Sequence, residues 1–264
     1  MPRYFIEVSY KGTAYSGFQV QKNATTIQSE VEKALQIYFK QPFSLTGASR
    51  TDAGVHALQN YFHFDIAHSL NKDDNTDQAK TSKEPSGGGG SGKAGFIYNL
   101  NAILPGDIVI KRIFGVEEKA HCRFDAISRE YRYVIYRDKN PFLHDRAYYF
   151  PYKTDMEKMN RAAALLLNVR DFTSFSKRST QVNNFLCEIK KAVWVAEDDT
   201  LVFKIKANRF LRGMVKGLVG TMLKVGTGKL SIEEYRAIIE SRDCTRADFS
   251  VPSMALFLVA VVYR

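Results

Sequence analysis

Residues 4–10 of the 264-residue chain read YFIEVSY and show a clear alternation of side chains. Every second residue from Tyr4 to Tyr10 is apolar or aromatic, and the positions between them include Glu7 and Ser9. A period of two is typical of a β-strand that buries one face. The sequence therefore predicts a sheet-containing fold with a strand at this position.

A helix is predicted after this strand, since Thr25 and Gln28 have the spacing of a capping box. Apolar residues then recur at helical spacing: Ile27, Val31, Leu35 and Tyr38. Short strands are expected at 43–45 and 60–64, on either side of a loop with glycines at both ends. The order strand, helix, strand, loop, strand is typical of an α+β sandwich with helices on one face of a sheet.

The second part of the chain repeats this outline. Strands are predicted at 128–136, 201–205 and 256–263, and helices at 156–167, 211–222 and 232–239. The sequence thus predicts two α+β domains, over residues 1–112 and 113–264. Residues 69–95 interrupt the first with a polar run that includes SGGGGSG, and we expect a disordered insertion in a surface loop.

The chain is basic, because 38 Lys and Arg against 28 Asp and Glu give a net charge of +10 and a pI near 9.4. This surplus favours a polyanionic partner such as nucleic acid, since each neutralised phosphate releases counterions. Charge alone leaves a basic protein without such a partner as an equal alternative. No apolar run reaches the roughly 18 residues that span a bilayer, and residues 1–7 lack a signal-peptide core. We therefore expect a cytoplasmic protein with no membrane partner.

The three cysteines, Cys122, Cys187 and Cys244, are widely spaced, and none forms a C-x-x-C pair. Zinc sites and thiol redox motifs need close ligand pairs, and an odd number of cysteines argues against a disulfide framework. The five histidines are equally dispersed. The sequence therefore predicts no bound metal.

The most informative run spans residues 47–56 and reads GASRTDAGVH. On its own, Asp52 can be an Asx-turn aspartate ahead of Gly54 or a carboxylate that performs chemistry. The run resembles the nucleophile motif of the TruA family of tRNA pseudouridine synthases. Other stretches resemble that family's sequence blocks in the same order, over almost the whole chain except 69–95: residues 99–108, 121–124, 129–133, 171–175, 207–215 and 256–259.

The resemblance implies an isomerase that converts uridine to pseudouridine at positions 38, 39 and 40 of the tRNA anticodon stem-loop. The uracil leaves its ribose through N1 and reattaches through C5 with no atom gained or lost, so no cofactor or metal is required. Asp52 is implied as the nucleophile, and attack at C1′, attack at C6 and a glycal route all stay open. A homodimer is implied as well. The implied fold joins two ferredoxin-like (RRM-like) halves into one mostly antiparallel sheet, with Asp52 in the cleft between them.

Four more residues take roles from the resemblance. Arg50 is implied to extrude the target nucleotide and hold its phosphate, although a simple ion pair with Asp52 is also possible. Tyr131 is implied to stack on the flipped uracil, although a tyrosine on a strand can also be part of the core. Lys216 stands where the family usually carries an arginine paired with the nucleophile, so it keeps the charge and loses the bidentate fork. Leu256 corresponds to an apolar residue of the uracil pocket, or is plain core.

Three alternatives stay open on the sequence. The enzyme can act on another tRNA position or another structured RNA. The chain can be an RNA-binding module or chaperone without catalysis. It can also be a nucleoside hydrolase or glycosidase that uses Asp52, although hydrolysis requires a second placed carboxylate to activate water. None of the blocks supplies an obvious one.

Overall fold

The computed structural model describes residues 1–67, 95–178 and 182–264. The insertion expected at 69–95 therefore lies, apart from Gly95, outside the described residues. Within the described ranges the chain forms nine β-strands and five α-helices, which confirms the predicted α+β class. None of these helices is long and apolar enough to cross a membrane.

The nine described strands form one mixed, mostly antiparallel sheet. In chain order they are β1 (Arg3–Tyr10), β2 (Thr46–Gly47), β3 (His56–Asp65), β4 (Ile108–Val116), β5 (Ser128–Tyr136), β6 (Tyr148–Tyr149), β7 (Ile189–Glu197), β8 (Thr200–Ala207) and β9 (Leu256–Val262). Seven run across the sheet in the order β4-β1-β3-β9-β5-β8-β7, while β2 pairs with β3 and β6 pairs with β5. The predicted boundary between residues 112 and 113 falls inside β4, and the division into two domains stays a prediction.

The helices of the described ranges form two groups. They are α1 (Ile27–Phe39), α2 (Phe96–Ile103), α3 (Met156–Leu165), α4 (Met214–Gly226) and α5 (Ile232–Ser241). Helix α1 packs against α2, which contacts β4, whereas α3, α4 and α5 pack together and contact β5 and β7. Each group buries its apolar stripe, as Leu35, Leu100, Met159 and Leu218 show, and so covers its own half of the sheet.

The two halves of the sheet meet where β3 pairs with β9. This pairing is parallel and joins His56 to Phe257 and Ala57 to Leu258. Parallel neighbours begin at the same edge of a sheet, so the loop before β3 and the residues before β9 lie side by side. The seam therefore places the GASRTDAGVH loop next to Leu256.

The start of α1 differs from the predicted capping box of Thr25 and Gln28. The N-cap is Thr26, whose hydroxyl accepts from the Ser29 N–H at 3.2 Å, while the Ser29 hydroxyl accepts from the Thr26 N–H at 3.0 Å. The carbonyl of Thr25 instead accepts a hydrogen bond from the Ser16 N–H at 2.9 Å. Thr25 is thus held by a tertiary contact, which moves the cap by one residue.

Two other boundaries also differ from the sequence prediction. The helix expected from residue 211 begins at Met214, because Gly213 adopts a left-handed conformation with φ 73°. The strand expected at 43–45 lies at Thr46–Gly47 instead. The backbone N–H of Leu45 donates to a carboxylate oxygen of Glu32 on α1, so a side chain satisfies it in place of a neighbouring strand.

Candidate active site

Asp52 lies in the loop between β2 and β3, in a turn that the Val55 N–H closes by donating to the Asp52 carbonyl at 3.2 Å. Gly54 continues this turn with φ 80°, a conformation that glycine adopts without strain. The Asp52 side chain keeps 34% of its surface exposed. The loop therefore presents a carboxylate that a ligand can reach.

The segment around β1 holds this loop in place. The hydroxyl of Tyr10 is hydrogen-bonded to the hydroxyl of Thr51 at 2.8 Å. Gly12 packs so closely that a Cβ atom at this position would lie 2.0 Å from the Val55 carbonyl oxygen. Both sides of Asp52 are thus anchored to the end of β1 and the residues that follow it.

Sheet register brings Tyr131 to the same region. Across the seam, Tyr10 pairs with Ala57, Ala57 pairs with Leu258, and Leu258 pairs with Tyr131. Residues directly opposite one another in adjacent strands project from the same face. The two tyrosines therefore flank a small alanine and a leucine on the face where Tyr10 meets the Asp52 loop.

The phenol of Tyr131 lies within electrostatic reach of Asp52. Burial raises the pKa of Tyr131, Arg129 opposes the rise and the Asp52 carboxylate adds to it, and the result is a pKa of about 12. Phe210 meets the Tyr131 ring edge-on, with the centroids 5.0 Å apart. Only 8% of Tyr131 is exposed, so the surrounding residues hold its ring in one position.

Two cations near the start of α4 lie close to Asp52. The Nε atom of Arg212 is 3.8 Å from the Asp52 carboxylate. Lys216, one helical turn further on, donates from Nζ to the Ser253 hydroxyl at 3.2 Å. Burial lowers the pKa of Lys216, and the charge of Lys177 lowers it further, whereas Asp52 opposes both. Lys216 thus lies in the field of Asp52, but the ion pair is made by Arg212.

Arg50 and Leu256 border this group. Arg50 is exposed, and within residues 1–67, 95–178 and 182–264 it makes no ion pair with Asp52. Its charge instead acts on Arg123 in the loop between β4 and β5. Leu256 is the first residue of β9 and is 7% exposed, two residues before the partner of Tyr131. The structure therefore brings all five predicted residues to one region, while their roles stay predictions.

His56 connects three segments of this region. Its Nδ1 atom accepts from the Gly12 N–H at 3.0 Å, and its Nε2 atom lies 2.8 Å from the Met254 carbonyl oxygen. Because Nδ1 accepts, the neutral ring carries its proton on Nε2 and donates it to Met254. The ring also lies against Phe257, with centroids 4.6 Å apart, and is 2% exposed. His56 therefore ties the end of the Asp52 loop to the segments that flank it.

Replacing His56 by Leu is expected to lower the free energy of unfolding by about 2–4 kcal/mol, since two buried backbone groups lose their partners. His56→Asn keeps an acceptor for Gly12, and His56→Gln keeps a donor for Met254, so each is expected to lose about half as much. Urea unfolding followed by circular dichroism measures the differences. The exposed His144→Asn variant is the control, and a His56→Leu protein as stable as this control would contradict the assignment.

The pH dependence of stability offers a separate test of His56. Burial lowers the pKa of His56 below its usual value of 6.5, so the unfolded chain binds a proton at a pH where the folded chain does not. The free energy of unfolding is therefore expected to fall as the pH drops below 6.5. His63 adds to the same trend, because burial lowers its pKa to about 4. The His56→Leu variant should show a shallower fall, and an unchanged pH profile would argue against this origin.

A separate cluster of His63, His121 and Cys122 places its ligating atoms within 4.8 Å of one another. One atom of each residue already has a hydrogen-bond partner: His63 Nδ1 accepts from the Cys122 N–H, His121 Nδ1 accepts from the Arg123 N–H, and Cys122 Sγ donates to the Thr46 carbonyl. Burial raises the pKa of the Cys122 thiol to about 12. A cation would have to displace the thiol proton and its bond to Thr46, so we interpret the cluster as internal hydrogen bonding.

Arg212 contacts Asp52 and Phe210 contacts Tyr131, and neither residue has a role predicted from the sequence. The signal lay in residues 208–216, NRFLRGMVK, where cations recur at spacings of three and four. That spacing places Arg209, Arg212 and Lys216 near one another whenever the run is helical or tightly turned. The pairing of Arg212 with Asp52 depends on the left-handed turn at Gly213, which the pattern alone does not reveal.

Comparison with known proteins confirms the family resemblance. A family model described as tRNA pseudouridine synthase matches residues 6–92 and 162–264. A tRNA pseudouridine synthase A from Porphyromonas gingivalis is 46% identical over 100% of this chain and 98% of its own length. Proteins with the same name are 43% identical in Parabacteroides distasonis (100% and 96%) and 31% identical in Staphylococcus aureus (97% and 90%). The chain belongs to the TruA family of tRNA pseudouridine synthases.

Proposed function

We propose that this enzyme forms pseudouridine at positions 38, 39 and 40 of the tRNA anticodon stem-loop, with Asp52 as the nucleophile. Membership of the family identifies the chain as an isomerase that forms pseudouridine in tRNA. One observation carries the proposal for the residue. The partly exposed carboxylate of Asp52 lies at the seam of the sheet, 3.8 Å from Arg212 and in the field of Tyr131.

The reaction requires from the protein mainly a nucleophile and a pocket that fits the uridine. The N1–C1′ bond breaks, the C5–C1′ bond forms, a proton leaves C5 and a proton is taken up at N1, so the atoms balance. A carboxylate divides this change into easier steps by forming a covalent intermediate or by stabilising a glycal-forming step. Each route needs a reachable, negatively charged carboxylate. Arg212 stabilises that charge, and the 34% exposure of Asp52 makes it reachable.

The neighbouring residues take complementary roles in this proposal. Tyr131 stacks on the flipped uracil, and base–aromatic stacking of about 1–3 kcal/mol is comparable with the cost of unstacking a nucleotide. Leu256 provides an apolar wall at the start of β9. Arg50 holds the backbone of the extruded nucleotide. Lys216 supplies positive charge from α4, and Arg212 takes the contact that the sequence assigned to Lys216.

The target positions are tested with unmodified tRNA transcripts that carry uridine at only one of positions 38, 39 and 40. We expect pseudouridine at the single uridine in each transcript, detected by carbodiimide adducts that stop reverse transcription. A transcript with cytidine at all three positions is the control and should stay unmodified. Modification outside the anticodon arm, with none at these three positions, would contradict the proposed target.

The family resemblance also leads us to propose a cytoplasmic homodimer that grips one tRNA across two subunits. The net charge of +10 supports binding of a polyanion by such an assembly. Sedimentation equilibrium of the free protein tests the dimer. A protein that stays monomeric at micromolar concentration, with and without tRNA, would contradict it.

A further inference from the structure

Three arginines from separate segments lie together beside the Asp52 loop. Arg50 belongs to that loop, Arg123 follows β4, and Arg209 follows β8. Arg129 joins the Arg123 and Arg209 segments, because its guanidinium donates to the carbonyls of Arg123 and Asn208. Burial lowers the pKa of Arg123, and the charges of Arg50 and Arg209 lower it further. In the part of the chain that the structure describes, none of the three pairs with a carboxylate. The cluster therefore lacks a protein anion to neutralise it.

An exposed aromatic ring lies at the same place. Phe124 is 72% exposed, the guanidinium carbon of Arg123 lies 5.5 Å from its ring centroid, and the His121 ring lies 4.2 Å away. The loop that carries it is firmly held. The His121 ring accepts from the Arg123 N–H, and Arg129 donates to the Arg123 carbonyl at 2.5 Å. The ring is thus presented to solvent by an ordered loop and lies outside the core.

We propose that Phe124 and the three arginines form a binding shelf for the nucleotide next to the target uridine. The base of that nucleotide stacks on Phe124, and Arg50, Arg123 and Arg209 hold the phosphates on either side. This inference rests on the proposed function, since it takes Asp52 as the place where the target uridine is bound. Phe124 would thus contact the substrate at a place separate from the pocket that contains Tyr131.

The combination of groups selects this ligand. Cations with an exposed aromatic ring are typical of sites for unpaired nucleotides, because the ring stacks on a base while the cations follow the backbone. In a paired RNA stem the base faces are already stacked on one another, so the Phe124 ring could not stack on them. Extruding the target uridine removes a stacking partner from the neighbouring base. Phe124 replaces that partner and offsets part of the cost of extrusion.

The test measures tRNA binding in an Asp52→Asn background, so that no reaction occurs during the titration. The probe is an unmodified tRNA transcript with uridine at position 39 and a fluorophore at its 3′ end, titrated between 50 and 200 mM salt. We expect Phe124→Ala to weaken binding by about 5- to 150-fold, which corresponds to the loss of one stacked base, and Phe124→Trp to restore it. The salt slope should not change, since no charge is removed.

Two further variants separate stacking from electrostatics. Arg209→Gln should weaken binding and reduce the slope of log K against log salt by about 0.7–0.9, as expected for one lost phosphate contact. Phe142→Ala is the matched control, because Phe142 is 77% exposed and lies in a different loop. It should leave both affinity and slope unchanged.

A Phe124→Ala protein that binds tRNA as tightly as its parent would overturn the shelf. If the oligomeric state of that protein were also altered, the ring would instead be assigned to contact between copies of the chain. The titration involves no catalysis. Weaker binding by Phe124→Ala would therefore still support the shelf if the wild-type protein formed no pseudouridine at positions 38–40. In that case only the proposed function fails.

Discussion

Replacing Asp52 by Asn is expected to lower the rate of pseudouridine formation by at least about 10³-fold, because loss of a nucleophile removes the step that divides the reaction. That change corresponds to about 4 kcal/mol of transition-state stabilisation. Asn has nearly the same shape, so the turn closed by the Val55 N–H should persist. The affinity for tRNA should stay the same or increase, since one negative charge leaves a basic cleft.

Single-turnover reactions, followed by chromatography of the digested nucleosides, measure the rate for this variant. The control is Asp198→Asn, an exposed aspartate in the turn between β7 and β8 with φ 47°, a conformation that Asn also accepts. This control should react at the wild-type rate. If Asp52→Asn reacted at a rate within tenfold of the control, Asp52 would not be the nucleophile.

Replacing Tyr131 by Phe is expected to lower kcat by about 10²–10⁴-fold, the usual range for loss of a group that handles a proton. Because burial raises the pKa of Tyr131 to about 12, the phenol is protonated at neutral pH and can donate to the reacting base. The phenyl ring remains, so stacking and KM should change little. Tyr131→Leu removes the ring as well and should additionally raise KM by about 5- to 150-fold.

Steady-state kinetics of the two Tyr131 variants separate these effects. Tyr10→Phe is the matched control, since Tyr10 lies on the same face of the sheet and its hydroxyl is bonded to Thr51. This variant should lose some stability and keep its kcat within about tenfold, because the two buried hydrogen bonds of this hydroxyl, to Thr51 and Asn60, contribute about 1 kcal/mol each to folding. Wild-type kcat in Tyr131→Phe would show that the phenol handles no proton and leave Tyr131 a stacking role alone.

Segments with an unbroken period were predictable from the sequence. The alternation in β1 and β5 and the helical spacing in α1 and α3 are local properties, and these elements lie close to the predicted ranges. Strand β4 was not predicted, because its buried residues Ile108, Ile110 and Ile113 change spacing from two to three. A register shift between Glu7 and Val8, where β1 pairs with β4, accommodates that change.

The site was predictable only in part, for physical reasons that differ from residue to residue. Asp52 and Arg50 stand in one continuous motif, so their proximity follows from the chain itself. Tyr131 reaches them only through the parallel pairing of β3 with β9, a long-range contact that no local pattern encodes. Arg212 was missed because the left-handed turn at Gly213 decides where it lies. The hydrogen bond from the Gly12 N–H to His56 is likewise a tertiary contact that the sequence pattern does not show.

We propose that this chain isomerises uridine in the anticodon arm through Asp52. Tritium release from a tRNA transcript labelled at C5 of uridine tests it most directly, because the C5 hydrogen is lost only when the uracil reattaches through C5. Wild-type protein should release tritium equivalent to the uridines at positions 38–40, and Asp52→Asn should release none above background. Equal release by the two proteins, or no release by wild type on a folded tRNA, would contradict the account.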